Sequence, residues 1–389
     1  MSDEIAKQGS HDGSLKPVRV SVVVPVYRRS AKAIACVQSL LRQSLRDAEV
    51  IVIDDGSHDG TREALELLAL SIADATRRED HISLTILHNE QNVGANISRN
   101  RGIRAARGSL IAFTDSDCVA DPRWLEELVQ PFIASNVGAV TGLVEDRASH
   151  NMWELAFRGT HRLPHAGPVG RIVIGNLCVR RKILLAHCLD ESRPTRRTQD
   201  GTPDLTVSAR SDEEGLNLAL RAAGWTVLAQ PTARVDHDHT YSRQALLKQA
   251  WFGGMSACDI VWKYRLGPRK DLGPILLFHV ALWLSVFAML LVPSDWRAWI
   301  LVVPALIACL PIAAISYNEL WNKGKTPLEL LCAAPALTVY YHIRLAGYLM
   351  RRIEIARHIR RPERVDIAQL AENLPRPPSR RCAQECPEP

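Results

Sequence analysis

The sequence predicts an α/β domain on a doubly wound, mostly parallel sheet, followed by a C-terminal transmembrane helical hairpin. Three observations carry this expectation. Short β-branched runs alternate with helix-period segments through the first 144 residues, the pattern of successive βα units. The runs end in turns rich in Asp, Gly and Asn, which in an open α/β sheet form the ligand-binding edge. Two long apolar stretches without formal charge then follow residue 270 of the 389-residue chain.

Residues 1–17 are polar and aperiodic, with no apolar stretch resembling a leader, and are expected to be disordered. The run 20–27 is a buried strand in which Pro25 ends the ladder. Helical spacing follows over 30–45. A second strand, 49–53, runs into Asp54-Asp55-Gly56-Ser57, and Asp59-Gly60-Thr61 opens a helix to about residue 70. A third strand, 82–87, leads to Asn92-Val93-Gly94 and a helix over 95–107. The fourth strand ends at Thr114 and meets Asp115-Ser116-Asp117, and Asp121-Pro122 starts the next helix. In a parallel sheet the strand ends at Tyr27, Asp55 and Asp117 converge on one edge.

The pattern changes after Val144. Residues 146–170 are irregular, 171–174 read as a short strand before Gly175-Asn176, and 190–211 form a long polar loop. A helix begins at Ser211 with Asp212, Glu213 and Glu214 in its first turn, where dipole complementation alone accounts for acids. A strand over 225–229 precedes Asp236-His237.

Residues 261–350 are expected to form a membrane region. Spans over 274–292 and 299–316 have a short connection, hence a hairpin, and the basic flanks at Lys263, Arg265, Arg269, Lys270, Lys323 and Lys325 place both ends in the cytoplasm. Residues 328–350 are interrupted by Tyr340, Tyr341, His342 and Arg344 and read as an interfacial or re-entrant segment. Residues 351–389 form a basic, Pro-rich cytoplasmic tail, disordered from 373. The net charge of +6 comes from basic residues interleaved with acids through most of the chain, which argues against nucleic acid, while their concentration beside the C-terminal apolar segments points to a membrane surface. Nine cysteines without a C-x-x-C pair give neither a zinc site nor a disulfide framework and fit a reducing compartment.

Asp115 and Asp117 carry the chemistry that the pattern suggests. Carboxylates at i and i+2 face one side if the strand continues, and hard oxygen donors suit Mg²⁺ or Mn²⁺ that also holds phosphate. An isolated Asp-Ser-Asp is also a common solvated turn.

Taken together the motifs resemble family 2 glycosyltransferases, inverting enzymes with the GT-A nucleotide-sugar-binding fold. The resemblance rests on Val22-Val23-Val24-Pro25-Val26-Tyr27, Asp54-Asp55-Gly56-Ser57 with Asp59-Gly60-Thr61, Asn92-Val93-Gly94 with Arg99-Asn100-Arg101-Gly102, Thr114-Asp115-Ser116-Asp117, Gly175-Asn176 and Asp212-Glu213. It covers roughly 18–260, with 18–144 as the nucleotide-binding half and 145–260 as the acceptor half.

The resemblance implies that Asp55 accepts a hydrogen bond from the nucleobase, that Pro25 and Tyr27 line the base and ribose pocket, and that Arg99 contacts the nucleotide-sugar. It implies Asp117 as a ligand of Mn²⁺ or Mg²⁺, Asp115 on ribose or metal, His237 near metal and diphosphate, and Gly175-Asn176 near a sugar. The family's base falls on Glu213, with Asp212 and Glu214 as alternates, because the usual Glu-Asp order is inverted here. The implied partners are a nucleotide-sugar donor, a lipid-linked or glycan acceptor and the membrane, and the implied location is the bacterial inner membrane with a cytoplasmic catalytic domain. A nucleotidyltransferase would show a Gly-rich basic loop after the first strand, where this chain has Tyr27-Arg28-Arg29-Ser30. A non-catalytic nucleotide-sugar-binding module would have lost the carboxylates that are present.

Overall fold

The computed structural model describes residues 18–75, 81–146, 151–157, 165–191, 213–238, 242–267, 272–291, 317, 325–359 and 361–378. Asp212, the loop 192–211 and the second expected span, 299–316, lie outside these residues.

The N-terminal half builds as the hydrophobic pattern dictates. Strands β1 (Val20–Val26), β2 (Ala48–Asp54), β3 (Ser83–His88) and β4 (Leu110–Thr114) pair in parallel in the spatial order β3-β2-β1-β4. Helices α1 (Ser30–Leu41), α2 (Thr61–Ala75) and α3 (Ala95–Ala105) form the crossovers. Successive side chains of a strand point to opposite faces, so β1 feeds two cores. Val20, Val22, Val24 and Val26 join one with Val37 and Leu40 of α1, while Val23 joins the other with Ile51, Ile53, Ile103 and Phe113. Pro25 does not end the strand. β4 pairs with β1 only as far as Val23, so the missing N–H of Pro25 falls where no β4 partner is available.

The second half departs from the expected mostly parallel sheet. The order continues β4-β8-β6-β9-β5, where β5 is Cys118–Ala120, β6 Val137–Asp146, β8 Asn176–Arg180 and β9 Thr226–His237, and the two-residue β7 (Gly167–Pro168) pairs with β9. β8 is antiparallel to both β4 and β6, and β5 is antiparallel to β9. β4 passes to β5 through three residues, far too few for a crossover to a parallel place beside it, and β5 pairs with β9 at the other end of the sheet. The short strand expected over 171–174 is not extended sheet. Ile172 and Val173 are buried beside it, and pairing starts at Asn176. β9 runs well past 229 and carries the chain to His237.

Helices α4 (Trp124–Val129), α6 (Arg181–Ala186) and α7 (Glu213–Ala222) cover the sheet. A helical layer follows: α5 (Met152–Phe157), α8 (Arg243–Lys263), α9 (Gly273–Leu291) and α10 (Pro327–Ala356) share a core with Leu246, Ile275, Ala336, Leu337, Tyr341 and Leu345. α8 and α10 approach closely because Gly254 and Gly347 lack side chains. A Cβ on Gly254 would strike the Arg344 carbonyl, and one on Gly347 the Trp251 carbonyl.

The expected transmembrane hairpin is corrected here. Among the described residues no helix is long and apolar enough to cross a membrane. α9 occupies the first expected span and sets Ile275 into the helical core. α10, expected as interfacial or re-entrant, is long but amphipathic. It buries Arg351, whose Nε donates to Asp259 Oδ1 at 2.6 Å and Nη1 to Glu354 Oε2 at 2.7 Å, so it packs one face against α8.

The chain then returns to the sheet domain. The short helix α11 (Ile367–Glu372) is capped by Asp366, and Ala371 and Leu374 are buried in the core that holds Leu216, Leu220 and Trp225. Trp225 Nε1 donates to the Pro375 carbonyl at 2.7 Å. Through residue 378, the segment expected as a tail is therefore part of the fold.

Candidate active site

The C-terminal ends of β1, β2 and β4 and the end of β9 bring most of the expected residues to one edge. Asp115 and Asp117 do not, however, face one ligand side by side. The strand stops at Thr114, and the Cys118 amide donates back to the Asp115 carbonyl at 3.0 Å, closing a tight turn. The alternation of side chains ends with the strand, so the two carboxylates diverge.

Asp115 turns toward α3. Its Oδ1 accepts from Arg99 Nη2 at 2.8 Å, and Arg99 Nη1 also donates to Asn96 Oδ1 at 3.1 Å. Arg99 is buried, and its Nε has no hydrogen-bond partner among the described residues. A Cβ on Gly175 would come within 2.8 Å of Asp115 Oδ2. The glycine thus makes room for the carboxylate, which is a structural reason for its identity.

Asp117 turns the other way and is only 7% exposed. Its Oδ2 accepts from Arg29 Nη1 at 2.6 Å, and its Oδ1 lies 3.6 Å from His237 Nε2. Pairing of β5 with β9 sets Cys118 opposite His237, and the Asp238 amide donates to the Asp117 carbonyl at 2.8 Å. Ligand atoms of Asp117, Cys118 and His237 all lie within 4.8 Å of one another. A carboxylate and an imidazole at that spacing fit Mn²⁺ or Mg²⁺, with further positions open to phosphate and water. The Cys118 thiol is held well above its ordinary pKa by burial first and then by the charges of Asp115 and Asp117. As a neutral thiol it is a poor ligand for a hard cation, so the fit rests on Asp117 and His237.

Asp55 is buried, and its carboxylate shapes the loop before α3. Oδ1 accepts from Asn89 Nδ2 at 2.8 Å and the Val93 amide at 2.9 Å, and Oδ2 from the Gly94 amide at 2.8 Å. Beside it a pocket of about 350 Å³ is lined by Asp54, Gly56, Ser57, His58, Gly60 and Asn89, among others. Asp54 accepts from the Ser57 amide and approaches His88 Nδ1 at 3.3 Å. Pro25 is buried in β1. Tyr27 is exposed at the strand end, with the Arg28 guanidinium 5.0 Å from its ring centroid.

Glu213 opens α7. Its carboxyl is raised above the ordinary value by burial first. Arg99 and Arg171 pull it down, and Asp115 adds to the rise. These interactions put Glu213 in the same electrostatic neighbourhood as the Arg99–Asp115 pair. Tyr264, at the end of α8, packs its hydroxyl against Gly215 in the first turn of α7.

Asn176 has a different task from the one expected. Its Nδ2 donates to the Leu143 and Ala233 carbonyls at 2.9 Å each, and its Oδ1 accepts from Trp124 Nε1 at 2.9 Å. Both amide donors tie β8 to β6 and β9, and the amide oxygen ties it to α4. Arg180 likewise serves the fold at the far end of the sheet, where its guanidinium donates to the Val137, Phe132 and Ala134 carbonyls. The residues that sequence reasoning missed are Arg29, Cys118 and Arg171. Only Cys118 had a local signal, its adjacency to Asp117.

The family model described as Glycosyl transferase family 2 matches residues 21–170. Curated relatives include the glycosyltransferase GlyG of Streptococcus pneumoniae, 33% identical over 123 residues, and the glycosyltransferase AglE of Haloferax volcanii, 34% identical over 128 residues. Each match covers 32% of this chain, and the chain spans 38% and 39% of those relatives' lengths. Among solved structures, a mannosyltransferase from Pyrobaculum calidifontis in complex with GDP-Man and Mn²⁺ aligns over 88% of this chain and 86% of its own, at 16% identity and a TM-score of 0.49. At that score the likeness is weak, and the assignment rests on the family model and the curated relatives. Residues 21–170, which include the carboxylates that follow β2 and β4 at the sheet edge, are the part of the chain that matches glycosyl transferase family 2.

Proposed function

We propose that the protein is an inverting glycosyltransferase that moves a sugar from a nucleotide-sugar donor to a membrane-associated, lipid-linked acceptor. The observation that carries the reading is the gathering of buried Asp117, His237, the Arg99–Asp115 pair and Glu213 around one sheet edge. In this reading Glu213 takes the proton of the acceptor hydroxyl as the hydroxyl oxygen bonds to the anomeric carbon. The bond from that carbon to the diphosphate breaks on the opposite face, so the configuration inverts and no sugar becomes attached to the enzyme. Asp117 and His237 would hold Mn²⁺ or Mg²⁺, which when bound offsets the charge of the departing nucleoside diphosphate. Arg99 holds Asp115 in place at the donor side, and the pocket next to Asp55 suits the base.

The lipid-linked acceptor is supported by α9. Leu276, Leu277, Val280, Trp283, Leu284 and Phe287 are exposed on it, a run of apolar side chains suited to lie against a bilayer surface. The cytoplasmic face of a bacterial inner membrane is the proposed location, because buried free thiols at Cys36, Cys118, Cys178 and Cys258 suit a reducing compartment.

The test is a screen of purified protein against a panel of nucleotide-sugars, with and without Mn²⁺ or Mg²⁺, following release of nucleoside diphosphate. The reading expects one donor to be turned over, dependent on cation. No turnover with any donor, in the presence of lipid extract, counts against it.

A further inference from the structure

Arg29 is the residue at this edge that the family reading leaves without a task. It and Arg28 both sit in the left-handed region, at φ 66° and 61°, which costs a non-glycine residue about 1–2 kcal/mol. The conformation is held by the neighbouring loop. The Arg28 amide donates to Ser57 Oγ at 2.7 Å and the Arg29 amide to Asp59 Oδ2 at 3.3 Å. The held backbone delivers the guanidinium to Asp117, with Nη1 2.6 Å from Oδ2. Asp117 is almost buried while the Arg29 side chain is 51% exposed, so the arginine enters from the solvent side and closes the carboxylate off.

We propose that Arg29 is a built-in counter-cation of Asp117 that competes with the divalent ion for the same carboxylate. The inference rests on the reading of Asp117 as a cation ligand and adds a gate to it. A buried carboxylate needs a positive partner. The guanidinium supplies one while the ion is away and must leave Oδ2 when the ion takes it. Free Mn²⁺ therefore binds weakly, and the site fills when a nucleotide-sugar brings phosphate oxygens that the displaced guanidinium can meet as well.

The experiment titrates Mn²⁺ into the full-length protein without nucleotide, following free Mn²⁺ by electron paramagnetic resonance. Arg29→Gly fits the positive φ and removes the competitor, and Arg29→Asn tolerates the same backbone and serves if the glycine variant folds poorly. Either variant is expected to bind Mn²⁺ about tenfold or more tightly than the unsubstituted protein. Arg29→Lys, which keeps a cation there, should stay near the original affinity. Arg28→Gly removes a neighbouring charge whose guanidinium lies over the Tyr27 ring and should shift affinity less than about twofold.

Equal Mn²⁺ affinity in the Arg29 variants and the unsubstituted protein overturns the gate, as does an equal gain from Arg28→Gly, which would be a general field effect. Asp117→Asn separates the two levels. If it abolishes Mn²⁺ binding while Arg29→Gly changes nothing, only the gate fails; if it leaves Mn²⁺ binding intact, the metal reading fails with it.

Discussion

Glu213 and Glu49 are carboxylates whose surroundings push them in opposite directions. Burial raises Glu213, so the native state holds its proton more tightly than the unfolded chain does. Its contribution to stability is then fullest below the ordinary value of 4.5 and is lost as pH rises through the folded pKa. With Glu213 as the proposed base, the same shift would move the acid limb of kcat/KM above the ordinary carboxylate range, because a base works only when deprotonated. A pH–rate profile checks this, with activity falling on acidification at a pH above 4.5. Burial also raises Glu49, but hydrogen bonds from Ser21 Oγ at 2.6 Å and from Arg107 at 2.8 Å outweigh it and hold the carboxyl below its ordinary value. Its stability contribution is present above 4.5 and is lost as pH falls through the lowered pKa. Glu49→Gln should cost about 1–3 kcal/mol at neutral pH, measured by urea unfolding, and the cost should shrink in acid.

Asp115 and Asp117 show what a sequence tells at this scale and what it does not. Their chemistry was legible, because carboxylates after a buried strand mark a ligand edge. Their divergence was not, because it is set by one backbone hydrogen bond from Cys118 to the Asp115 carbonyl. Gly175→Ala tests the local crowding. Its Cβ would sit 2.8 Å from Asp115 Oδ2, so it should disturb the Arg99–Asp115 pair and raise the donor KM more than it changes kcat.

At the scale of elements, β1 to β4 were readable because each is a short β-branched run between turn signals, and the alternating faces of β1 explain its place between two cores. The second half was less readable for a physical reason. Whether β8 runs antiparallel to β4, and how far β9 extends, depends on pairings between residues far apart in sequence, which local periodicity does not encode. α11 had a legible pattern, with Ile367, Leu370, Ala371 and Leu374 at helical spacing after Asp366, but it lies in a stretch whose composition reads as a basic, Pro-rich tail. Leu374→Ala should destabilise the protein by about 2–4 kcal/mol and red-shift Trp225 fluorescence, because the Trp225–Pro375 hydrogen bond lies beside it. A free tail would show neither change.

For the whole molecule, two layers meet around α7. The sheet supplies the donor edge, and the helical layer braces the helix that carries Glu213 through Tyr264 against Gly215. The apolar stretch after residue 270 was legible as apolar but not as a span. Apolar content alone does not distinguish a membrane helix from one seated on a helical layer, as α9 is at Ile275. If the exposed side of α9 lies on a bilayer, Trp283→Ser with Phe287→Ser should reduce co-sedimentation with anionic phospholipid vesicles several-fold while leaving donor hydrolysis in solution unchanged.

Glu213 is the proposed base at a donor site formed by the β2, β4 and β9 ends. The direct measurement compares Glu213→Gln with the unsubstituted protein for nucleotide-sugar binding by calorimetry and for sugar transfer under saturating donor. Donor affinity is expected to stay within about threefold and transfer to fall by about 10²–10⁴. Full transfer by Glu213→Gln would contradict that role.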